Sequence, residues 1–210
     1  MKYKAVLFDM DGVILDSEPL HVAAFQATLG RFGHELDMNG YEAHFAGKTD
    51  EAGFKQYFDF INEKADIPAI MSKKAKKYIE LAKDQLIPYA GIVQLIKELS
   101  EHVPLALVTG SLRSEVDVAL KACGIEGQFS AIVTADDITK SKPDPEGYLK
   151  ASALLGIYPK DCVVVEDSPS GINAAIAATI DCIAVTNTHS KEELKAATMV
   201  VDELSLNLFY

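Results

Sequence analysis

Short apolar runs with almost no polar interruption recur along this chain, each set apart by a stretch with helical spacing. KAVLF at Lys4–Phe8, PLALV at Pro104–Val108, AIV at Ala131–Val133, CVVV at Cys162–Val165 and CIAV at Cys182–Val185 read as strands, with Met199–Val201 as a last short one. Helical patterns at Ile92–Leu99, Leu112–Ala122, Glu146–Leu155 and Ser170–Ala178 separate them, and Gly124 stands where a helix terminator belongs. Near-continuous apolar strands that alternate with helices predict an α/β fold, a parallel sheet covered by helices on both faces.

One segment breaks this rhythm. From about Ser17 to Gln85 there is no β run, only helix-like patterns, several charges and the basic stretch Lys73-Lys74-Ala75-Lys76-Lys77. That is too long for a simple crossover, so it reads as an inserted all-helical cap. Prolines punctuate its two ends, near Asp16–Pro19 and Leu86–Ala90. The expected organisation is therefore a core of residues 1–16 and 87–210 with a cap of residues 17–86. The lysine run reads as a solvated helix face.

Composition narrows the function classes. A net charge of −11 argues against a nucleic-acid surface, which needs a basic face. It leaves room for an anionic small molecule, because a few local cations and a metal can dominate one pocket. The longest apolar runs fall far short of a membrane span of ~20 residues. Asp9 arrives before a signal-peptide core could form, so a cytoplasmic, soluble chain is expected, and with no long apolar surface stripe, a monomer. Cys123, Cys162 and Cys182 form no CxxC pair and read as small buried hydrophobes.

In an open parallel sheet ligands bind outside the carboxyl ends of the strands. After the first strand comes Asp9-Met10-Asp11-Gly12, and after the second Thr109-Gly110-Ser111. Lys142-Pro143-Asp144-Pro145 follows the third, and Glu166-Asp167-Ser168-Pro169 the fourth. Each has a bland reading. Asp9 and Asp11 can open a glycine turn, Thr109 can cap a helix, Lys142 can be a surface lysine, and Ser168-Pro169 can start a helix. Four such loops on one sheet edge, bringing carboxylates, a hydroxyl and an ammonium together, point to one joint site.

Those residue types suit phosphoryl transfer. A carboxylate attacking a phosphate brings like charges together, and Mg²⁺ held by oxygen ligands is the usual screen. Asp9 and Asp167, with Glu166, supply carboxylates for it. Lys142 adds a point charge, while the Thr109 hydroxyl and the Gly110 amide donate hydrogen bonds to phosphoryl oxygens. Asp9 can attack as nucleophile and Asp11 can act as general acid and then base, a role that calls for a pKa raised relative to Asp9.

The run from Asp9 to Pro19 closely resembles the opening motif of the haloacid dehalogenase superfamily. Thr109 resembles its second motif, Lys142 in Lys-Pro-Asp-Pro its third, and Glu166-Asp167-Ser168-Pro169-Ser170-Gly171 its fourth, so the resemblance spans essentially the whole chain. It implies a Rossmann-like core with a helical cap, in the subgroup of β-phosphoglucomutase and small sugar-phosphate phosphatases. The metal set it implies is Asp9, Asp11, Glu166 and Asp167. Dehalogenases of the family lack the second aspartate, so Asp11 implies phosphotransfer. In the cap, His21 falls where β-phosphoglucomutase and many of the phosphatases carry a histidine, Gly47-Lys48-Thr49 resembles the specificity loop, and Lys74 or a neighbour corresponds to a second cap cation. His21, Lys48 and Lys74 are equally readable as solvated or structural residues.

The expected activity is Mg²⁺-dependent hydrolysis of a small phosphorylated metabolite, a sugar or polyol phosphate, through an aspartyl-phosphate on Asp9. The alternative is a β-phosphoglucomutase-type hexose-phosphate phosphotransferase, whose cap excludes water. A non-catalytic binding module is the third reading, and the intact Asp9, Asp11, Thr109, Lys142 and Asp167 speak against it.

Overall fold

The computed structural model describes residues Met1–Tyr210. Six parallel strands form one sheet: β1 (Ala5–Phe8), β2 (Leu105–Val108), β3 (Ala131–Val133), β4 (Cys162–Glu166), β5 (Asp181–Val185) and β6 (Met199–Val201). Their spatial order is β3-β2-β1-β4-β5-β6. The strands and core helices read from the sequence are all present, with ends shifted by a residue or so. The helices are α5 (Ile92–Ser100), α6 (Arg113–Cys123), α7 (Glu146–Leu155) and α8 (Pro169–Ala177).

Strand periodicity accounts for the two cores. Val6, Phe8, Leu105, Leu107, Val163 and Val165 point to one face, where α5 and α6 bring Ile92, Leu95, Ile96, Leu99, Val116 and Leu120. Ala5, Leu7, Ala106, Val108, Cys162 and Val164 point to the other, against Tyr148 and Ala151 of α7 and Ile172, Ala174 and Ala175 of α8. With both faces covered, the strands have no polar side to show. Cys162 and Cys182 are buried and free, as their apolar neighbours imply, and Cys123 ends α6 half-buried.

Between β1 and α5 lie four helices: α1 (Glu18–Gly30), α2 (Met38–His44), α3 (Asp50–Phe60) and α4 (Ile67–Gln85). Asp37, Thr49 and Asp66 cap the last three by accepting from Gly40, Ala52 and Ala69 amides. Phe54, Tyr57 and Phe58 sit at helical spacing on α3 and close an aromatic core with Phe25, Tyr41 and Phe45. The insert thus buries its own apolar set. The chain enters and leaves it side by side: the Asp16 amide donates to Ile87 O at 3.0 Å and the Tyr89 amide to Ile14 O at 3.0 Å.

This topology positions the site. The chain runs from β1 outward through β2 and β3, then returns to place β4 on the other flank of β1. The reversal of winding lies between β1 and β4, and the Asp9 amide extends that ladder to Val165 O at 3.0 Å. Asp9 and Glu166-Asp167 therefore meet at the crevice.

Candidate active site

Asp9, one residue beyond β1, is buried, and its Oδ1 lies 2.8 Å from Lys142 Nζ. Glu166 closes β4 and is fully buried. Its Oε1 accepts from Lys142 Nζ at 2.6 Å and Tyr148 Oη at 2.8 Å. Its Oε2 accepts from the amides of Asp167 and Ser168 at 2.9 and 3.1 Å and from the Ser168 hydroxyl at 2.9 Å. Ser168 is also the N-cap of α8 with Pro169 behind it, so the capping reading and the site reading of that loop both hold. A Cβ at Gly171 would lie 1.7 Å from Glu166 Oε1; only glycine lets α8 start so close to that carboxylate.

Asp9, Glu166 and Asp167 bring carboxylate oxygens within 4.8 Å of one another. Burial and the charge of Glu166 outweigh Lys142 and push Asp9 up to about 7. Burial, Glu166 and Asp9 push Asp167 up to about 8, against a hydrogen bond from Thr188. Three buried acids facing each other with one ammonium among them are short of positive charge, and an all-oxygen donor set fits a hard divalent cation such as Mg²⁺. Glu166 already accepts five hydrogen bonds, so Asp9 and Asp167 carry the uncommitted oxygens.

Asp11 stands apart from that cluster, which sets its carboxylate apart from the metal set implied by the motifs. Its Oδ1 accepts from the Ser17 hydroxyl and faces His21 Nε2 at 3.5 Å. Its Oδ2 accepts from Ser111 Oγ at 2.8 Å and Thr109 Oγ1 at 3.3 Å. Burial alone would raise its pKa, but His21 and the Ser17 and Ser111 hydroxyls together hold it below the ordinary carboxylate range. The order of the two aspartates is thus the reverse of the one expected from their roles. The cause is this ring of donors, which no spacing in the sequence announces.

Thr109 does not cap α6, whose N-cap is Leu112. Its hydroxyl accepts from the Ser111 amide at 3.0 Å and shapes the loop beside Asp11. Gly110 lines the cavity, and a Cβ there would meet no atom within 4 Å, so its backbone faces open space.

Of the cap residues, His21 stacks on Tyr78 with ring centroids 4.3 Å apart, and its Nδ1 lies 2.8 Å from Lys74 Nζ. An ammonium can only donate, so Nδ1 accepts and Nε2 carries the hydrogen toward Asp11. Lys48 is exposed, lines the cavity and donates to Ala43 O at 3.0 Å. Lys74 corrects two expectations. It is neither solvated nor on the cavity wall: with no exposed surface, it pairs with Asp50 of α3 at 3.0 Å and Glu115 of α6 at 3.1 Å. Those carboxylates outweigh its burial and raise its pKa. Lys73 and Lys76 beside it are exposed, as a helix face requires.

Several contributors went unread in the sequence. Asn187 Nδ2 donates to Gly12 O at 2.8 Å, and the Thr188 hydroxyl donates to Asp167. Both follow β5, so the strand-end rule, carried one strand further, finds them. Gly12 has φ +79°, and a Cβ there would fall 1.9 Å from Asp167 Oδ2. A cavity of about 210 Å³ opens over these groups and is also lined by Glu18, Tyr41, Lys48 and Asp50.

Residues 6–185 match the family model of haloacid dehalogenase-like hydrolases. The chain belongs to that family. It is 31% identical over 205 residues to validoxylamine A 7'-phosphate phosphatase of Streptomyces hygroscopicus subsp. limoneus, covering 97% of this chain and 95% of the relative. It is 31% identical to fructose-1-phosphate phosphatase of Escherichia coli (strain K12), covering 88% and 97%. A variant of CbbY from Rhodobacter sphaeroides, solved with xylulose-1,5-bisphosphate, superposes with a TM-score of 0.87 at 25% identity, covering 96% and 94%. The family is one of enzymes, and this member is a phosphatase-type hydrolase with the Rossmann-like core and helical insert that the motifs implied. No helix is long and apolar enough to cross a membrane.

Proposed function

We propose that this hydrolase releases phosphate from a small sugar or polyol phosphate through an aspartyl-phosphate on Asp9. The observation that carries the reading is the pairing of Asp9 with Lys142 at 2.8 Å beside a second aspartate held by hydroxyls. One carboxylate is placed to attack and the other to handle protons. The curated relatives named as phosphatases support the same reaction class.

Asp9 attacks phosphorus through its free oxygen, the bond from phosphorus to the ester oxygen breaks, and Asp11 gives the leaving oxygen its proton. Water then attacks the phosphorus of the acyl phosphate while Asp11 takes its proton, the bond from phosphorus to the Asp9 oxygen breaks, inorganic phosphate leaves and the Asp9 carboxylate is regenerated. Free of ligand, Asp11 is held as the carboxylate, the form that activates water. A phosphoryl dianion beside it raises its proton affinity by like-charge repulsion, which favours the acid form for the first step. Lys142 neutralises phosphoryl oxygens, and the Thr109 hydroxyl and Gly110 amide border the same space. Asp9 and Asp167 would hold Mg²⁺, which supplies the remaining charge neutralisation between nucleophile and phosphate. Residues 17–86 act as the cap that selects the leaving group and controls water.

The test is phosphate release from a panel of sugar and polyol phosphates, with and without Mg²⁺, alongside β-glucose 1-phosphate with a bisphosphate primer. Mg²⁺-dependent release supports hydrolysis. Conversion to glucose 6-phosphate with little release would replace it with the mutase reading.

A further inference from the structure

The loop after β5 touches both the Gly12 turn and the Asp167 carboxylate. We propose that Asn187 and Thr188 on this loop are positioning residues of the metal centre. They fix one oxygen of Asp167 and the Gly12 turn, so that the other Asp167 oxygen is presented to the cation. Their role rests on the reading proposed above, in which Asp9 and Asp167 hold Mg²⁺.

The Thr188 hydroxyl donates to Asp167 Oδ2, and its oxygen also lies 3.3 Å from Asp167 O and 2.8 Å from His189 Nδ1. A hydroxyl has one proton, and an ionised carboxylate or a carbonyl can only accept. With Asp167 ionised, as a metal ligand must be, that proton is committed to Asp167. His189 Nδ1 then carries a hydrogen and donates to the Thr188 oxygen, so each donor of the chain His189–Thr188–Asp167 orients the next. On its other side Oδ2 is backed by Gly12: the Cβ that glycine lacks would stand 1.9 Å from Oδ2 and 3.0 Å from Oδ1. Asn187 Nδ2 holds that turn by donating to Gly12 O at 2.8 Å. The Thr188 hydrogen bond to the carboxylate falls on Oδ2, which leaves Oδ1 as the oxygen for a cation.

The loop is tied down at both ends. The Thr186 amide donates to Val201 O at 3.0 Å and extends the β5–β6 ladder, while its hydroxyl donates to Asp202 Oδ1 at 2.9 Å. Beyond His189, the Glu193 carboxylate accepts from the Ser190 amide at 2.9 Å and the Ser190 hydroxyl at 2.6 Å. Thr188 is exposed and lines the cavity, so its contribution is its polar contacts and not apolar packing. A group that orients a metal ligand through a hydrogen bond changes metal affinity by about 10- to 100-fold without touching the metal.

The experiment follows the Tm of the intact protein against Mg²⁺ concentration at about pH 8 and takes the Mg²⁺ Kd from that dependence. Parent, Thr188→Val, Thr188→Ser and Asn187→Leu are compared, with phosphate release from p-nitrophenyl phosphate and sugar phosphates measured alongside. Thr188→Val keeps the shape and loses the donor, so its Kd should rise about tenfold or more, while Thr188→Ser should stay within about threefold of the parent. Asn187→Leu should raise Kd by about threefold or more. A merely structural role would lower Tm in the absence of Mg²⁺ and leave Kd where it was. A parental Kd in either Thr188→Val or Asn187→Leu, or a Thr188→Ser protein as impaired as Thr188→Val, overturns the inference and leaves the phosphatase reading standing. No response of the parent's Tm to Mg²⁺ overturns the metal assignment and this inference with it, and no phosphate release from any substrate overturns the phosphatase reading itself.

Discussion

Lys142 Nζ stands 2.8 Å from Asp9 Oδ1 and also 2.6 Å from Glu166 Oε1, so one cation spans the ends of two neighbouring strands. Glu166 is in turn fixed by Tyr148 and the start of α8, which aims the ammonium. Lys142→Ala should therefore lower kcat by about 10²–10³, the scale for removing one preorganised charge at a developing anion. Lys142→Arg should not restore it, because a planar guanidinium cannot occupy a point-charge position between two carboxylates. Steady-state kinetics on the best substrate checks both.

Gly12 packs directly against Asp167, one of the carboxylates proposed to hold the metal. Its φ is +79°, and a Cβ would overlap Asp167 Oδ2 at 1.9 Å. Gly12→Ala should cost about 1–3 kcal/mol of stability through backbone strain and displace Asp167. The expected readouts are a weaker response to Mg²⁺ in thermal unfolding and a loss of activity larger than the stability loss explains.

Asp9 and Asp167 make stability depend on pH in an unusual direction. Their folded pKa values, about 7 and about 8, lie above those of the unfolded chain, chiefly because of burial. Between roughly pH 4 and those values the folded protein retains protons that the unfolded chain has lost, so the pair's contribution falls as pH rises. A divalent cation held by the two carboxylates, as proposed, would take the place of those protons. The gain in Tm on adding Mg²⁺ should grow from about pH 5.5 to about pH 8, and Asp167→Asn should flatten that trend. Thermal unfolding across pH, with and without the metal, reads it; a gain independent of pH would contradict it.

Lys74 ties the helical insert to the core from a fully buried position, through Glu115 on one side and Asp50 on the other. Lys74→Met should destabilise by about 3–5 kcal/mol, since it leaves two carboxylates without a counter-ion. Adding Glu115→Gln and Asp50→Asn to that variant should recover part of the loss. Urea unfolding of the three proteins measures it.

The parts of this molecule that could be read from the sequence are those set by local pattern. Strands buried on both faces leave unbroken apolar runs, and the loops after four of them carried Asp9, Thr109, Lys142 and Asp167 in order. The helix-like patterns from about Ser17 to Gln85 announced an all-helical insert, although not the separate aromatic core that Phe54, Tyr57 and Phe58 of α3 close inside it. Lys74 takes the structural reading left open for it and falls outside the solvated face expected of the lysine run, because its two partners come from α3 and α6, which only the folded chain brings together. The proton affinities of Asp9 and Asp11 were reversed for a related reason. Burial decides Asp9, while His21 and the hydroxyls of Ser17 and Ser111 decide Asp11, through contacts that residue spacing does not reveal. Thr188 and Asn187 were within reach of the same strand-end argument applied to β5.

The central claim is that Asp9 receives the phosphoryl group, and its most direct test is phosphate release by the parent protein and by Asp9→Asn, side by side in Mg²⁺. An amide at position 9 cannot form the acyl phosphate, so release should fall by about 10⁴-fold or more while the variant remains folded. An Asp9→Asn protein as active as the parent would contradict the account.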